Sequence, residues 1–193
     1  MTDPLQQFTE WFEAARAHAG DSQSNAMTLA TADKNGAPSA RIVLLKAFDE
    51  RGFVFYTNLE SRKSLELKEN PRAALCFFWE RLGRQVRIEG TVTLVSDEEA
   101  DEYFAGRPFV SRIGAVASDQ SRLLVSRGTL MDKIRKLEEK FSETNPPPRP
   151  KHWSGWRLMP ERIEFWQEGK FRLHQRELFT RAGEGWKTEG LYP

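Results

Sequence analysis

One cysteine, three histidines and a net charge of +1 set the first limits on this chain of 193 residues. Cys76 has no second cysteine to meet, so an internal disulfide is excluded and the fold must rest on buried apolar surface and hydrogen bonds. It lies in the run Ala73-Ala74-Leu75-Cys76-Phe77-Phe78, which predicts a buried, inert thiol and fits a reducing cytoplasm. The few histidines are scattered, so no metal-site spacing exists. With 29 Lys+Arg against 28 Asp+Glu, the strong positive field that favours nonspecific nucleic-acid binding is missing. There is no apolar run long enough for a membrane span and no signal-peptide pattern, so a cytoplasmic protein without a membrane anchor is expected. Neither a Gly-x-Gly-x-x-Gly after a strand nor a P-loop is present. Any nucleotide-like cofactor must therefore be held by another architecture.

What is present is enough apolar material, 39% of residues, for one real core, and a single domain over residues 1–193 is expected. Asp3 as N-cap, Pro4 at the first helical position and Leu5, Phe8, Phe12 and Ala15 at helical spacing predict a helix over about 4–19. Short strands and tight turns follow: Met27 to Ala32, Ser39 to Lys46 and Phe53 to Thr57. A helix begins near Ser61 and is stopped by Asn70-Pro71; strands resume at Ala73 to Trp79 and Gln85 to Leu94. Ser96-Asp97-Glu98-Glu99 reads as a capping box opening a helix that ends by Arg107-Pro108, and a further helix is expected from about Thr129 to Phe141. The proline-rich stretch from Asn145 to Pro150 is an extended connector. Leu158, Ile163 to Gln167, Phe171 to Thr180 and Trp186 to Tyr192 form a closing antiparallel set over about 156–192, with a hairpin turn at Ala182-Gly183-Glu184-Gly185. Short strands without regular βαβ alternation predict a mainly antiparallel β-barrel with covering helices.

Polar residues concentrate in a few segments. In an extended strand Phe171-Arg172-Leu173-His174-Gln175-Arg176 would put Arg172, His174 and Arg176 on one side, with no carboxylate among them, as half of an anion site. The competing reading pairs these charges with acids such as Glu164 or Glu168 on a neighbouring strand. Upstream, Ile163-Glu164-Phe165-Trp166-Gln167 ends in an aromatic and an amide, materials for holding a flat conjugated ring. In Tyr56-Thr57-Asn58-Leu59-Glu60-Ser61-Arg62-Lys63 a strand runs into a helix whose first turn is basic. That charge opposes the helix dipole unless an anion is bound there, although a solvated surface turn is the plain alternative. Arg41 and Lys46 bracket an apolar strand and fall on opposite faces unless a bulge or end twist intervenes. Gln85, Arg87 and Glu89 alternate with Val86 and Ile88, as a half-buried strand requires. Tyr103, Arg107 and Ser111 surround one helix end, which a structural helix stop also explains. His18 and His152 have no visible partners.

Taken in order, Arg41-Ile42-Val43-Leu44-Leu45-Lys46, Phe53 to Asn58, Ser61-Arg62-Lys63, Asn70 to Leu75, Arg84 to Gly90, Tyr103-Phe104, Arg107-Pro108, Ser111, Gln120-Ser121, Ile163 to Gln167 and Arg172-Leu173-His174 closely resemble the pyridoxamine/pyridoxine 5′-phosphate oxidase family. The resemblance runs from about Asp3 to Pro193. It implies an FMN-binding split β-barrel that works as a homodimer with the flavin at the subunit interface. The implied reaction oxidises pyridoxine 5′-phosphate and pyridoxamine 5′-phosphate to pyridoxal 5′-phosphate with dioxygen, releasing hydrogen peroxide, in vitamin B6 biosynthesis and salvage. It further implies that Arg41, Tyr56, Thr57, Arg62, Lys63, Gln85, Gln120, Ser121, Trp166 and Arg176 hold FMN, with Arg62 and Lys63 at its phosphate. Lys46, Tyr103, Arg107 and Ser111 are implied to take the substrate phosphate, and Arg172 and His174 to close over the pyridine ring as the catalytic pair. The chain departs from the family at Gln175, where Asp is usual, and at Val116, Arg112, Ser64 and Gly190. A lid segment carried by a longer leader in many relatives is expected to be missing. A related split-barrel flavin oxidase with another substrate, or a flavin or pyridoxal-phosphate carrier without turnover, is the alternative.

Overall fold

The computed structural model describes residues 3–193. Helix α1 (Pro4–Ala19) begins as predicted, with the Asp3 carboxylate accepting from the Leu5 amide at 3.0 Å. A short α2 (Asp21–Ser24) leads into β1 (Ala26–Ala32), β2 (Pro38–Leu44), β3 (Ala47–Asp49) and β4 (Gly52–Asn58). Then come α3 (Arg62–Glu69), β5 (Arg72–Trp79), β6 (Arg84–Leu94), α4 (Asp97–Ala105), α5 (Phe109–Ala117) and α6 (Arg127–Lys140). The chain closes with β7 (Trp153–Gln167), β8 (Gln175–Ala182) and β9 (Gly185–Gly190). The strand order is β2-β1-β5-β6-β7-β4-β3, with β8 added to β7 and β9 to β8, and these pairings are antiparallel throughout. The expected mainly antiparallel sheet with covering helices is what the chain builds.

Strand β7 divides this sheet. Along one edge it pairs with β6 from Trp156 to Gln167; along the other, Trp153 to Leu158 pair with β4, whereas Arg162 to Gln167 pair with β8. Pro160 falls in the gap between the two partners, where a residue without an N–H breaks no ladder bond, and the β6 register slips opposite it between Glu89 and Gly90. One strand thus carries two different neighbours at its two ends, and these ends position the polar clusters described below.

Helix α1 lies over the concave side. Phe8 is fully buried and packs edge-on against Phe48, Phe53 and Phe77 at centroid distances of 4.9 to 5.2 Å. Burial of one such ring is worth about 1.5–3 kcal/mol, so this residue ties the helix to three strands at once.

Several expectations are corrected. The strand predicted from Phe171 starts only at Gln175, because Lys170 to Arg172 form a 3-10 turn with Phe171 and Arg172 at φ 57° and 64°. Arg172, His174 and Arg176 therefore do not alternate along one strand. Lys46 lies beyond the end of β2, so the opposite-face argument for Arg41 and Lys46 does not apply. The helix expected to stop at Arg107-Pro108 is followed at once by α5, with Pro108 as its N-cap. Proline was read only as a stop there, yet its fixed φ also suits a helix start. Half of the capping box forms: Ser96 Oγ accepts from the Glu99 amide at 3.2 Å, while the Glu99 side chain is taken by Arg157 instead. Cys76 is half-buried on the convex side, since strand alternation gives the core to its neighbours Leu75 and Phe77. Burial still raises its thiol pKa and keeps it protonated.

Candidate functional site

The first cluster gathers around a cavity of about 550 Å³ between β2, β4, α4 and α5. Lys46, Tyr103, Arg107 and Ser111 all line it, although they come from two loops and two helices. Tyr56, Thr57, Lys63 and Gln120 line the same space, and no acidic residue does. The floor is aromatic: Tyr56 stacks on Tyr103 at 3.9 Å and on Trp153 at 5.3 Å, all nearly parallel. Gly155 makes this possible, because a Cβ there would lie 2.8 Å from the Tyr56 ring. Arg107 sits over Trp153 at 4.8 Å, and its Nη1 is buried with no hydrogen-bond partner. Burial, followed by the charge of Arg107, lowers the Lys46 pKa; burial lowers that of Arg107 in turn. Two desolvated cations, one with a donor left over, suit an anionic ligand.

Beside this cavity, α3 carries the basic first turn. Ser61 is its N-cap, but the hydroxyl donates to Asn58 O at 2.6 Å and leaves the first-turn amides uncapped. Lys63 Nζ donates to Gln120 Oε1 at 2.9 Å, Thr57 Oγ1 at 3.0 Å and Ser61 Oγ at 3.2 Å, all neutral acceptors. Burial and then the charge of Arg41 push its pKa down to about 8, against the pull of Glu66. Arg62 Nε donates to Glu66 Oε1 at 2.8 Å, and Arg41 reaches the other oxygen of Glu66 at 3.5 Å. Ser121, adjacent to Gln120, holds φ at 71°, a strained value for a residue with a side chain.

The second cluster lies at the other end of β7. Gln85, Trp166 and Arg176 are successive register partners on β6, β7 and β8, so they stand in one row on one face of the sheet. His174 packs against Trp166 at 4.6 Å, and its Nδ1 accepts from the Gly169 amide at 3.3 Å. Arg176 Nε pairs with Glu164 at 2.8 Å and its Nη1 donates to Tyr192 O at 2.9 Å. The neighbour-acid reading is therefore correct for Arg176. Arg172 is exposed and makes no ion pair among the described residues. Ser154, register partner of Thr57, is separated from Trp166 by roughly 40 Å of strand contour at ~3.3 Å per residue. None of Gln85, Trp166, Arg172, His174 and Arg176 lines the cavity of the first cluster.

Sequence reasoning did not single out three contributors. Trp153 supplies the far end of the aromatic floor; an aromatic two residues before a glycine that a ring must approach was the available signal. Glu66 stands four residues after Arg62, a helical pairing distance. Both oxygens of Glu99 accept from Arg157 Nη2 at 2.8 Å, which ties α4 to β7. Burial first, then the charges of Glu99 and Tyr103, push the Tyr56 phenol up to about 12.

Residues 13–167 match the family described as Pyridoxamine 5′-phosphate oxidase, and residues 153–193 match the Pyridoxine 5′-phosphate oxidase C-terminal dimerisation region. The chain is 53% identical over 192 residues to a pyridoxine/pyridoxamine 5′-phosphate oxidase of Gluconobacter oxydans, covering 99% of this chain and 94% of that protein. It is 55% identical over 191 residues to the protein of the same description from Rubrobacter xylanophilus, covering 99% and 87%. Among solved structures, PhzG from Burkholderia lata, in complex with tetrahydrophenazine-1-carboxylic acid, aligns with a TM-score of 0.92 at 33% identity over 100% of this chain and 94% of that one. A pyridoxamine 5′-phosphate oxidase-related, FMN binding protein of Nostoc punctiforme aligns with a TM-score of 0.78 over the whole of both chains; at 17% identity this bears on the fold alone.

Proposed function

This chain belongs to the pyridoxamine 5′-phosphate oxidase family, and from that premise we propose that it is a homodimeric FMN enzyme that oxidises pyridoxine and pyridoxamine 5′-phosphates to pyridoxal 5′-phosphate. The observation that carries this reading is the cavity lined by Lys46, Lys63 and Arg107 without one carboxylate, in which Arg107 keeps a buried donor unpaired. A substrate phosphate supplies the missing acceptors; Tyr103 and Ser111 add neutral donors, and Lys46 adds the second charge. Burial raises the Tyr103 pKa, so its phenol remains a donor at neutral pH.

The residues present also fit FMN. Arg41, Arg62 and Lys63 oppose a single carboxylate, Glu66, at a helix start whose amides are free, which suits a phosphomonoester. The row of Gln85, Trp166 and Arg176 offers an amide, an aromatic face and a guanidinium to a flat heterocycle, with Tyr56, Thr57, Gln120 and Ser121 completing the set from the other cluster. When bound, FMN supplies the two-electron oxidation at the substrate's 4′ carbon, with dioxygen as final acceptor and hydrogen peroxide as product. The chain's own residues bind and orient. Fixing both phosphates turns a diffusional encounter into an aligned one. Arg172 and His174 close over the pyridine ring from the end of β7 remote from the phosphate cavity. The match of residues 153–193 to a dimerisation region supports the arrangement this requires, in which each site takes one cluster from each of two copies.

Anaerobic mixing of the FMN-loaded protein with pyridoxine 5′-phosphate tests the assignment. Bleaching of the flavin followed by recovery in air is expected, and a flavin that stays oxidised rejects it. A phenazine-type reading is favoured by the likeness to PhzG; flavin that responds to tetrahydrophenazine-1-carboxylic acid and not to the phosphorylated vitamer would support that alternative.

A further inference from the structure

Glu66 is a carboxylate in a region otherwise built for anions. Its side chain is 7% exposed, and four donor groups converge on its two oxygens. Thr31 on β1 and Ser39 on β2 donate to Oε2 at 2.5 and 2.6 Å; Arg62, one helical turn back on α3, donates to Oε1 at 2.8 Å. Arg41 reaches Oε2 at 3.5 Å and also donates to the hydroxyls of Thr31 and Ser39. Burial works to raise the Glu66 pKa, but the hydrogen bonds from Ser39, Thr31 and Arg62 and the charge of Arg41 outweigh it and hold the pKa at about 2. The group is therefore an anion at every physiological pH.

A permanent negative charge close to a phosphate site lowers the attraction for phosphate, so its presence needs a compensating role. The geometry gives one. Arg62 is 66% exposed, yet its Nε is fixed by Glu66, leaving both Nη groups facing outward. Arg41 belongs to an edge strand and is steadied by the same carboxylate and by the two hydroxyls that Glu66 also holds. Lys63, on the same helix turn, is anchored separately by Thr57, Ser61 and Gln120. One side chain thus joins β1, β2 and α3 and fixes two guanidiniums that would otherwise sample many rotamers.

We propose that Glu66 is a positioning residue for the cofactor phosphate: its buried carboxylate orients Arg41 and Arg62 and leaves the cradle of Arg41, Arg62 and Lys63 with a surplus of two positive charges, that of a phosphomonoester dianion in reverse. This rests on the reading of the site as an FMN cradle. It assigns to Glu66 no contact with flavin and no part in the chemical step.

Glu66→Gln keeps the shape and can still bond Thr31 and Ser39, but it loses the charge that holds the guanidiniums. The test titrates wild type and variant with FMN and with riboflavin, which lacks the phosphate, following flavin fluorescence. Loss of one charge-assisted bond corresponds to about ten- to a hundredfold weaker FMN binding, with riboflavin affinity kept within about twofold. In an Arg62→Ala background the penalty of Glu66→Gln shrinks, as expected if the two act through one bond. The proposal is overturned if Glu66→Gln binds FMN as well as or better than wild type, or if FMN and riboflavin weaken in equal proportion, which marks a general loss of structure. Should Glu66→Gln not fold, Glu66→Asp keeps the charge and retracts it; a fall in the FMN-to-riboflavin affinity ratio supports the proposal, and an unchanged ratio overturns it. Wild-type protein that takes up no FMN instead refutes the FMN reading itself.

Discussion

The two ends of β7 solve different problems. At the β4 end, side chains from β2, β4, α3, α4 and α5 enclose a cavity whose cations are desolvated and faced by no carboxylate among the lining residues. At the β8 end, Gln85, Trp166 and Arg176 stand in an open row on a sheet face, and the cation in that row already has its acid, Glu164. The first end is a socket assembled by one chain; the second is a flat surface that gains depth only when something covers it. Phe171 and Leu173 beside it are 89% and 67% exposed, and Ile42, at the edge of the socket, is 65% exposed. Burying such surface against a second copy is favourable, and the arrangement proposed above would bring a socket and a row together.

Subunit complementation breaks or confirms this division most directly. Arg107→Ala removes the orphaned donor of the socket, and His174→Ala removes the ring that packs on Trp166. Loss of a buried, ligand-paired charge costs about 2–5 kcal/mol, so the Arg107 homodimer should lose at least thirtyfold in kcat/KM. If each site combines a socket from one copy with a row from the other, a mixed dimer of the two variants contains one intact site and one doubly damaged site. Dissociating and reassociating equal amounts should restore about a quarter of wild-type activity, since half the dimers are mixed and each has one of two sites whole. Mixtures no more active than the parents would place both clusters of a site in a single chain.

The socket should also respond to pH in a way the row does not. Lys63 loses its proton through about pH 8. A phosphate favours the charged amine, so above that pH binding must take up a proton and FMN affinity should fall about tenfold per pH unit. Below pH 8 the dependence on this group should vanish. Lys63→Arg keeps its charge over the whole range and should flatten the curve, as read by flavin fluorescence titration from pH 6.5 to 9.5. A slope that persists in that variant would assign the titration elsewhere.

Much of this was legible in the sequence, and what was not has physical reasons. Helix α1 was readable because Asp3, Pro4 and the spacing of Leu5, Phe8, Phe12 and Ala15 all favour the same local structure. The gathering of Lys46, Tyr103, Arg107 and Ser111 around one cavity followed from likeness to a family, since no local rule places a loop lysine opposite an arginine in the turn between two helices. The row of Gln85, Trp166 and Arg176 depends on the register of three strands, which is set by long-range pairing and a slip opposite Pro160. The strand wrongly extended back to Phe171 shows the limit of alternation arguments. His174 does lie against Trp166, but a tight turn with two residues at positive φ brings it there. Among the described residues the three non-glycine positions with positive φ, Ser121, Phe171 and Arg172, belong to or adjoin the candidate site, where surrounding structure sustains strain that local preference would relax.

Two glycines, one at each end of β7, give the smallest and most discriminating contrast. A Cβ at Gly169 would lie 2.0 Å from the carbonyl oxygen of Leu173, a backbone atom in the turn that presents His174. A Cβ at Gly155 would lie 2.8 Å from the Tyr56 ring, which can swing aside at the cost of its stacking on Tyr103. Overpacking costs about 1–3 kcal/mol, with the upper part of that range expected where backbone must move. Gly169→Ala should therefore lower kcat about tenfold or more by displacing His174, with little change in the KM for the phosphorylated substrate. Gly155→Ala should raise that KM about threefold and alter kcat less, because it disturbs the floor under Tyr103 and Arg107. Steady-state kinetics separates the two patterns. If both substitutions moved KM and kcat together, the two ends of β7 would be one mechanical unit, and the distinction between socket and row would describe shape alone.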